Sequence, residues 1–307
     1  MWQSTKIADL SLLLVAFIWG STFVLVQNAL QSLSAFSFNG IRFLIAAFFL
    51  TIIAIIFYRK QWQKLTKRTL MAGILLGLCL FIAYTFQTIG LHYTSSSKAG
   101  FITGLSVILV PILSLFILNI KITRYAFIGV FVATVGLYLL TVQDISPFNK
   151  GDGFVFICAL GFALHIILTN LFAQAHSAII LTIIQVTTVG LLSIIAALFY
   201  EGWSYDSELL FRQEVIFALL ITSIFATGLA FLAQTHFQQF TSPTRVAVIF
   251  AMEPVFAAFT GFIFAGDRLS IIAIFGCLFI LLGMILAEWP QKNRFTDLPT
   301  ENSITKK

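Results

Sequence analysis

The stretch "AYTFQTIGLHYTSSSKAGFI" (83–102) places amides, hydroxyls and a lysine between two runs of apolar residues. A second stretch, "AFLAQTHFQQFTSPTRVAVI" (230–249), follows 147 residues later with Ala, Gln, Thr, Thr, Ser and Ile at identical positions. Lys98 of the first stretch corresponds to Arg245 of the second. Because shared polar positions are rare in apolar sequence, this match indicates an internal repeat.

The repeat extends well beyond these two stretches. The same shift of 147 aligns residues 83–140 with residues 230–287 and places Gly136 on Gly283. Nearer the start of the chain a shift of 143 fits better. The sequence therefore predicts two halves of similar structure, with a first repeat in residues 1–142 and a second in residues 152–289.

The composition is that of a membrane protein. Of 307 residues, 59% are hydrophobic and only 10% are charged, and the mean hydropathy is +1.00. A soluble domain of this composition would expose far more apolar surface than it could bury. The net charge of +6 is attributed to cytoplasmic loops and not to a nucleic acid partner. The three cysteines lack metal spacing, so neither a metal nor another cofactor is predicted.

Ten apolar segments are long enough to cross a bilayer. The predicted fold class is an all-α polytopic membrane protein with ten transmembrane helices, arranged as two inverted five-helix repeats. The first apolar run is interpreted as a retained helix and not as a signal peptide. Residues 290–307 are polar and are predicted to form a disordered cytoplasmic tail. The predicted spans are residues 7–28, 36–58, 70–92, 98–119, 123–142, 152–174, 178–200, 213–237, 244–265 and 270–289.

The basic residues predict the orientation. With both termini in the cytoplasm, thirteen Lys and Arg residues fall inside and four fall outside. We therefore expect a multi-pass protein of the plasma (inner) membrane. Because each half has an odd number of helices, the second half is inverted relative to the first, as in transporters that bind substrate near the bilayer midplane.

Several motifs resemble the drug/metabolite transporter superfamily, and specifically its EamA-type members with ten helices. They are "FIWGSTFVLVQ" (17–27), "FNGIRFLIAA" (38–47), "QTIGLHYTSSSKAGFITGLSVILVPI" (87–112) and "EPVFAAFTGFIFAGDRLS" (253–270). One departure is Asp267, where the family often has Glu. The resemblance implies a cavity between two halves, alternating access, and export of small organic solutes such as amino acids or related metabolites.

Two polar residues inside spans are candidate substrate ligands, because ionisable groups in a membrane are costly. Arg42 suits a carboxylate, with snorkelling or a helix-to-helix hydrogen bond as the alternative. Its repeat counterpart is Gln185. His165, the counterpart of Thr22, is either a substrate or proton ligand or a residue bonded to a neighbouring helix.

Three further charged residues are candidates for gating or coupling. Glu253 precedes Pro254, so it binds a coupled proton, pairs with Arg245 or caps a backbone group freed by the proline. Lys98 and Arg245 lie at the starts of corresponding helices. They either gate the two mouths of the cavity or lie at the lipid headgroups. An external lysine is disfavoured by the basic-inside rule, so Lys98 needs a further reason such as a carboxylate partner.

The remaining predicted ligands are neutral. Trp19 and Tyr84 are expected to shape the cavity, although packing is the alternative for any single aromatic residue. Thr22 lies beside Trp19 among small residues that leave room for a ligand. Gln87 and Gln234 occupy equivalent positions and are expected to supply matched hydrogen bonds.

Other functions remain open alternatives at this stage. They are an uptake permease for a metabolite or nucleotide-like solute, a membrane-embedded enzyme acting on lipid, and a structural or lipid-moving factor. Catalytic and ATP-binding motifs do not stand out, so a non-enzymatic role is favoured. The expected partners are a small-molecule substrate, the lipid bilayer and, as an open alternative, protons. The substrate, the direction, the coupling ion and the oligomeric state are left open.

Overall fold

The computed structural model describes residues 2–30, 32–94, 96–142, 147–201, 212–265, 268 and 270–287. All regular structure within these residues is helical. We number ten helices and mark interrupted ones by segment. They are α1 (Trp2–Ala29), α2 (Ala35–Phe57), α3 (Lys67–Leu91), α4a (Ser96–Gly104), α4b (Ser106–Ile117), α5 (Arg124–Thr141), α6 (Lys150–Ala173), α7 (Ala178–Tyr200), α8a (Gln213–Ile221), α8b (Thr222–Leu229), α8c (Ala230–Phe237), α9a (Pro243–Phe250), α9b (Glu253–Thr260), α9c (Gly261–Ala265) and α10 (Ile271–Ala287).

The ten-helix prediction is confirmed. Nine helices in the described part of the chain are long and apolar enough to cross a bilayer, and α10 is a shorter apolar helix. Most predicted boundaries differ from the observed ones by a few residues, and α1 begins earlier than predicted. The predicted disordered tail, residues 290–307, lies outside the described residues.

Polar residues between the apolar runs begin several of the helices. The Thr66 and Thr123 side chains accept hydrogen bonds from the first turns of α3 and α5. Asn149 and Asp152 form a reciprocal capping box at the start of α6. Ser242 caps α9a, and Pro243 occupies its first turn, where a missing N–H costs little. These caps explain why apolar runs separated by short loops become distinct helices.

The two halves, α1–α5 and α6–α10, pack reciprocally about a pseudo-two-fold axis. Helix α3 packs on α6, and its counterpart α8 packs on α1. The axis relates α2 to α7 and α5 to α10, and the members of each pair contact each other directly. As a result, the interior of the protein is lined by both halves.

Glycines bring α5 and α10 into backbone contact. A Cβ atom added at Gly136 would lie 2.6 Å from the Gly276 carbonyl oxygen, and one added at Gly129 would lie 2.6 Å from the Gly283 carbonyl oxygen. These four glycines are counterparts in the repeat. Only a residue without a side chain fits at this separation, so they explain the matching ends of the two halves.

Helices α4 and α9 are both interrupted at equivalent positions. Leu105 separates α4a from α4b, and Ala251 and Met252 separate α9a from α9b. Glu253 is therefore the first residue of the second segment of α9. Interrupted helices near the midplane are a common feature of transporter binding sites.

Helix α8 is also irregular, but its counterpart is regular. Residues Thr222–Leu229 form a π-helical segment, whereas the corresponding part of α3 is continuous α-helix. A π segment shifts the register of a helix and is often found at functional sites. This segment breaks the symmetry of the two halves in the region described next.

Candidate substrate-binding site

Six aromatic side chains from both halves meet at the centre of the helix bundle. Trp19 lies 5.3 Å from Phe231 and 5.0 Å from Phe250, measured between ring centroids. Phe43 lies 6.0 Å from Phe231. Such edge and tilted contacts are favourable for aromatic rings. We call this group the aromatic cluster; it comprises Trp19, Phe43, Tyr84, Phe162, Phe231 and Phe250.

The predicted ligands Trp19 and Tyr84 are thus brought together. Tyr84 packs against Phe43 at 5.4 Å and against Phe162 at 5.5 Å. Trp19 donates its indole N–H to the Ala226 carbonyl oxygen in α8b at 2.7 Å. Both residues lie in the interior and keep part of their surface accessible. This combination is typical of side chains that border an internal cavity.

Arg42 lies at the edge of the aromatic cluster and is 5% exposed. Its Nε–H donates to the Thr227 hydroxyl in α8b at 2.6 Å, and its guanidinium carbon lies 5.6 Å from the Phe43 ring centroid. Within the described part of the chain, Nε–H is the one N–H group of the guanidinium that has a hydrogen-bond acceptor. The terminal N–H groups therefore remain available to an acceptor from elsewhere.

Glu253 approaches the cluster from the interruption in α9. A Cβ atom added at Gly20 would lie 2.5 Å from the Glu253 carbonyl oxygen, so α1 and α9 touch beside Trp19. The Glu253 carboxylate lies deep in the bundle, keeps accessible surface and interacts electrostatically with Arg42 and Tyr84. Within the described chain it makes no hydrogen bond or ion pair. The alternative in which it pairs with Arg245 is wrong, because Arg245 pairs with Asp9.

His165 belongs to a buried hydrogen-bond network that joins α6, α7 and α8. Its Nε2 lies 2.9 Å from the Gln185 Oε1, and the Gln185 amide donates to the Thr235 hydroxyl at 3.1 Å. The His165 ring also lies edge-on to Phe231 at 5.9 Å. The hydrogen bond to a neighbouring helix that the sequence left open is thus present. It fixes the ring against the aromatic cluster.

The three neutral candidates have different surroundings. The Thr22 hydroxyl donates to the Ile18 and Trp19 carbonyl oxygens of its own helix, so its hydrogen is used locally. Gln234 is 1% exposed and its Oε1 has no hydrogen-bond partner. Gln87 is partly exposed and makes no hydrogen bond among the described residues. Gln234 follows Phe231 by one helical turn, which places it beside the aromatic cluster.

Within the described residues, each end of the bundle carries one ion pair that joins the two halves. At the predicted cytoplasmic end, Arg245 donates from Nη2 to the Asp9 Oδ2 at 2.6 Å. At the predicted outer end, the Lys98 Nζ lies 2.6 Å from the Asp152 Oδ2. We call these the cytoplasmic ion pair and the outer ion pair. In each, the acid comes from one half and the base from the other.

The outer ion pair has additional hydrogen bonds. Lys98 also donates to the Pro147 carbonyl oxygen at 2.9 Å. Asp152 accepts from the Thr94 hydroxyl at 2.7 Å and from the Asn149 backbone N–H at 2.7 Å. The carboxylate partner expected for Lys98 is therefore present.

Sequence reasoning missed the two acidic partners. Both residues lie in predicted spans, Asp9 in 7–28 and Asp152 in 152–174, but neither was predicted to have a functional role. The signal was available, because the shift of 143 that aligns the first helices of the halves places Asp9 on Asp152. Thr227 was missed because only the packing of α8 on α2 reveals it. In the described residues, no group of three or more His, Cys, Asp and Glu is placed to hold a metal ion.

Comparison with known proteins shows where this architecture occurs. The family model described as "EamA-like transporter family" matches residues 6–142 and again residues 149–289. A solved crystal structure superposes with a TM-score of 0.78 over 92% of this chain and 96% of that chain. Its sequence identity is 16%, so it supports the fold alone.

Relatives of similar length carry transporter names. An "Uncharacterized transporter" of Archaeoglobus fulgidus is 36% identical over 92% of this chain and 85% of its own. The "Uncharacterized transporter YoaV" of Bacillus subtilis is 22% identical over 93% of this chain and 98% of its own. An "S-adenosylmethionine/S-adenosylhomocysteine transporter" of Chlamydia muridarum is 25% identical over 87% of each. With both halves matched by the family model, this chain belongs to the EamA-like transporter family of membrane transporters.

Proposed function

We propose that the protein is a secondary transporter that exports amino acids or related small metabolites by alternating access. The observation that carries this proposal is the buried guanidinium of Arg42. It lies where the two inverted halves meet, and its terminal N–H groups have no acceptor among the described residues. A buried charge in a membrane protein is costly, and a guanidinium matches a carboxylate bidentately.

The remaining predicted ligands surround this charge. Trp19 and Tyr84 supply aromatic surface, and His165 is held against the same cluster by Gln185. The unpaired oxygen of Gln234 offers an acceptor for a donor on the solute. An apolar pocket with a few convergent polar groups is the usual composition of a small-molecule site.

The two ion pairs support alternating access. Each joins Lys98 or Arg245 to a carboxylate of the other half, one pair at each end of the bundle. Separating the halves at one end breaks only the pair at that end. We infer that Lys98 and Arg245 act as gates, and that both gates are closed in this conformation. Glu253 is the candidate proton site if transport is coupled to a proton gradient.

The direction and location rest on the sequence. The excess of basic residues on one side favours cytoplasmic termini in the plasma membrane. Export follows from the resemblance to exporters described above. Uptake is the alternative direction. A larger, nucleotide-like solute is the second candidate, favoured by the relative named "S-adenosylmethionine/S-adenosylhomocysteine transporter".

Solute counterflow tests the proposal directly. Purified full-length protein is reconstituted into liposomes. The liposomes are loaded with one unlabelled amino acid or with S-adenosylmethionine, and entry of the same solute in labelled form is followed. We expect transient accumulation for at least one amino acid. Imposing a pH gradient then shows whether a proton is coupled. Absence of counterflow across the panel, with protein that remains folded, would overturn the proposal.

A matched variant separates transport from leakage. Replacing Arg42 by Gln removes the charge while keeping hydrogen-bonding atoms, so counterflow is expected to fall at least about tenfold. Replacing Arg268, which lies in a loop between α9 and α10, by Gln removes a charge outside the bundle centre and is expected to change little. Equal loss in both variants would contradict the central site.

A further inference from the structure

We infer that the central site selects zwitterions: Arg42 binds the carboxylate of the solute and Glu253 binds its ammonium group. The inference rests on the proposed transport function and assigns Glu253 a role in substrate specificity. At the two ends of the bundle, the opposite charges form ion pairs. At the centre, Arg42 and Glu253 carry opposite charges but form no ion pair.

The first step is the separation of the two central charges. Arg42 and Glu253 interact electrostatically, yet no guanidinium nitrogen of Arg42 lies within 4.0 Å of a Glu253 carboxylate oxygen. The Arg42 Nε–H contacts the neutral Thr227, and the Glu253 carboxylate has no hydrogen-bond partner in the described chain. The protein thus holds a cation and an anion near each other without joining them.

The second step places both residues at the aromatic cluster. The Glu253 backbone carbonyl lies against Gly20, the neighbour of Trp19. Trp19 contacts Phe231, which in turn contacts Phe43, and the Arg42 guanidinium packs on the Phe43 ring. The aromatic cluster therefore lies beside both Arg42 and Glu253.

The third step is energetic. A buried charge without a partner is unfavourable, and a ligand of opposite charge relieves that cost. A carboxylate alone would satisfy Arg42 but would lie near the like charge of Glu253. An amine alone would satisfy Glu253 but would lie near Arg42. A molecule with both groups satisfies both residues, so the arrangement favours zwitterions and disfavours singly charged analogues.

The fourth step concerns the rest of the solute. The surfaces beside Arg42 and Glu253 are aromatic rings, and Trp19 and Phe250 are partly accessible. Such surfaces favour an apolar or aromatic side chain. The inferred substrate class is therefore the neutral α-amino acids with large apolar side chains.

Matched analogues test this inference by binding. The probes are phenylalanine, 3-phenylpropanoate and 2-phenylethylamine, together with the corresponding leucine series, measured by thermal stabilisation of the purified full-length protein. The wild type is expected to bind each zwitterion at least about tenfold more tightly than either singly charged analogue. Equal binding of the zwitterion and the acid, or no zwitterion binding, would overturn the inference.

Two variants assign the individual charges. Glu253→Gln is expected to weaken phenylalanine binding about tenfold or more while leaving 3-phenylpropanoate binding unchanged or stronger. Arg42→Gln should do the reverse and spare 2-phenylethylamine. If Arg42→Gln fails to fold, Arg42→Lys keeps a charge and is expected to lose affinity for both carboxylate probes. Parallel losses for all three probes would refute the assignment.

The same panel separates this inference from the proposed function. Counterflow of a solute that is not a zwitterion, with no preference for amino acids, would leave transport standing and overturn charge selection. Charge-selective binding without counterflow would leave the inference standing and overturn the transport proposal.

Discussion

Thr227 illustrates how a single hydroxyl supports a buried charge. It accepts the Arg42 Nε–H at 2.6 Å, and both side chains are buried. Replacing Thr227 by Val keeps the shape and removes the acceptor, so the charged donor is left unpaired. We expect the free energy of unfolding to fall by about 1.5–3 kcal/mol, measured by unfolding in detergent. Thr227→Ser retains the hydroxyl and is the control; a valine variant as stable as the serine variant would contradict this role.

The central residues differ in how far the sequence predicts them. Arg42, His165 and Glu253 stand out because each is an ionisable residue in an apolar run, and such residues are rare. Their partners do not stand out. Thr227 is one of many threonines, and it is 185 positions from Arg42 in the chain. A sequence pattern identifies costly groups, but only the packing of helices shows what relieves the cost.

At the scale of elements, the contact between α5 and α10 depends on glycine. A Cβ atom at Gly136 would lie 2.6 Å from backbone atoms of Gly276 and Ile280, which cannot move without separating the helices. We expect Gly136→Ala to destabilise the protein by about 1–3 kcal/mol, measured as a lower midpoint of thermal unfolding.

A second glycine provides the control for this change. Gly100 in α4a has no atom within 4 Å of an added Cβ, so Gly100→Ala meets open space. Alanine favours helix over glycine, and this variant is expected to gain up to about 1 kcal/mol. If Gly136→Ala and Gly100→Ala changed the midpoint of thermal unfolding equally, steric contact between α5 and α10 would not be the cause of the destabilisation.

The existence of the helices could be predicted, but most of their interruptions could not. Long apolar runs predicted ten helices, and the described part of the chain has nine long enough to cross a bilayer plus the shorter apolar α10. Pro254 indicates the break in α9, yet Pro111 lies inside α4b while the break in α4 is at Leu105. The π segment in α8 has no marker in the sequence. These features depend on contacts with neighbouring helices, which override local preference.

At the scale of the whole molecule, the inverted repeat predicts one gate at each end of the bundle, formed by the cytoplasmic ion pair and the outer ion pair. If the ion pairs hold the two ends closed, Asp9→Asn should open the cytoplasmic end and Asp152→Asn the outer end. A single cysteine replacing Tyr84, in a background without Cys79, Cys158 and Cys277, reports access to the centre.

Labelling by a membrane-impermeant thiol reagent then gives opposite results for the two variants. Asp152→Asn should raise labelling from outside intact cells, and Asp9→Asn should raise labelling in inverted vesicles. We expect about a fivefold increase, corresponding to a shift of about 1 kcal/mol. The double variant Asp9→Arg with Arg245→Asp restores the charges in reverse and should return labelling to the starting level. Equal effects from both sides would contradict a separate gate at each end.

We propose that the two ion pairs, acting as gates, also set a resting preference. The outer ion pair is reinforced by Thr94, Asn149 and Pro147. The cytoplasmic ion pair leaves one Asp9 oxygen and the Arg245 Nε buried without partners, which makes it the easier pair to break. In the predicted orientation the empty protein would therefore spend more of its time open toward the cell interior. A carrier that waits in this state is loaded by cytoplasmic solute, so its traffic is outward whenever that solute accumulates.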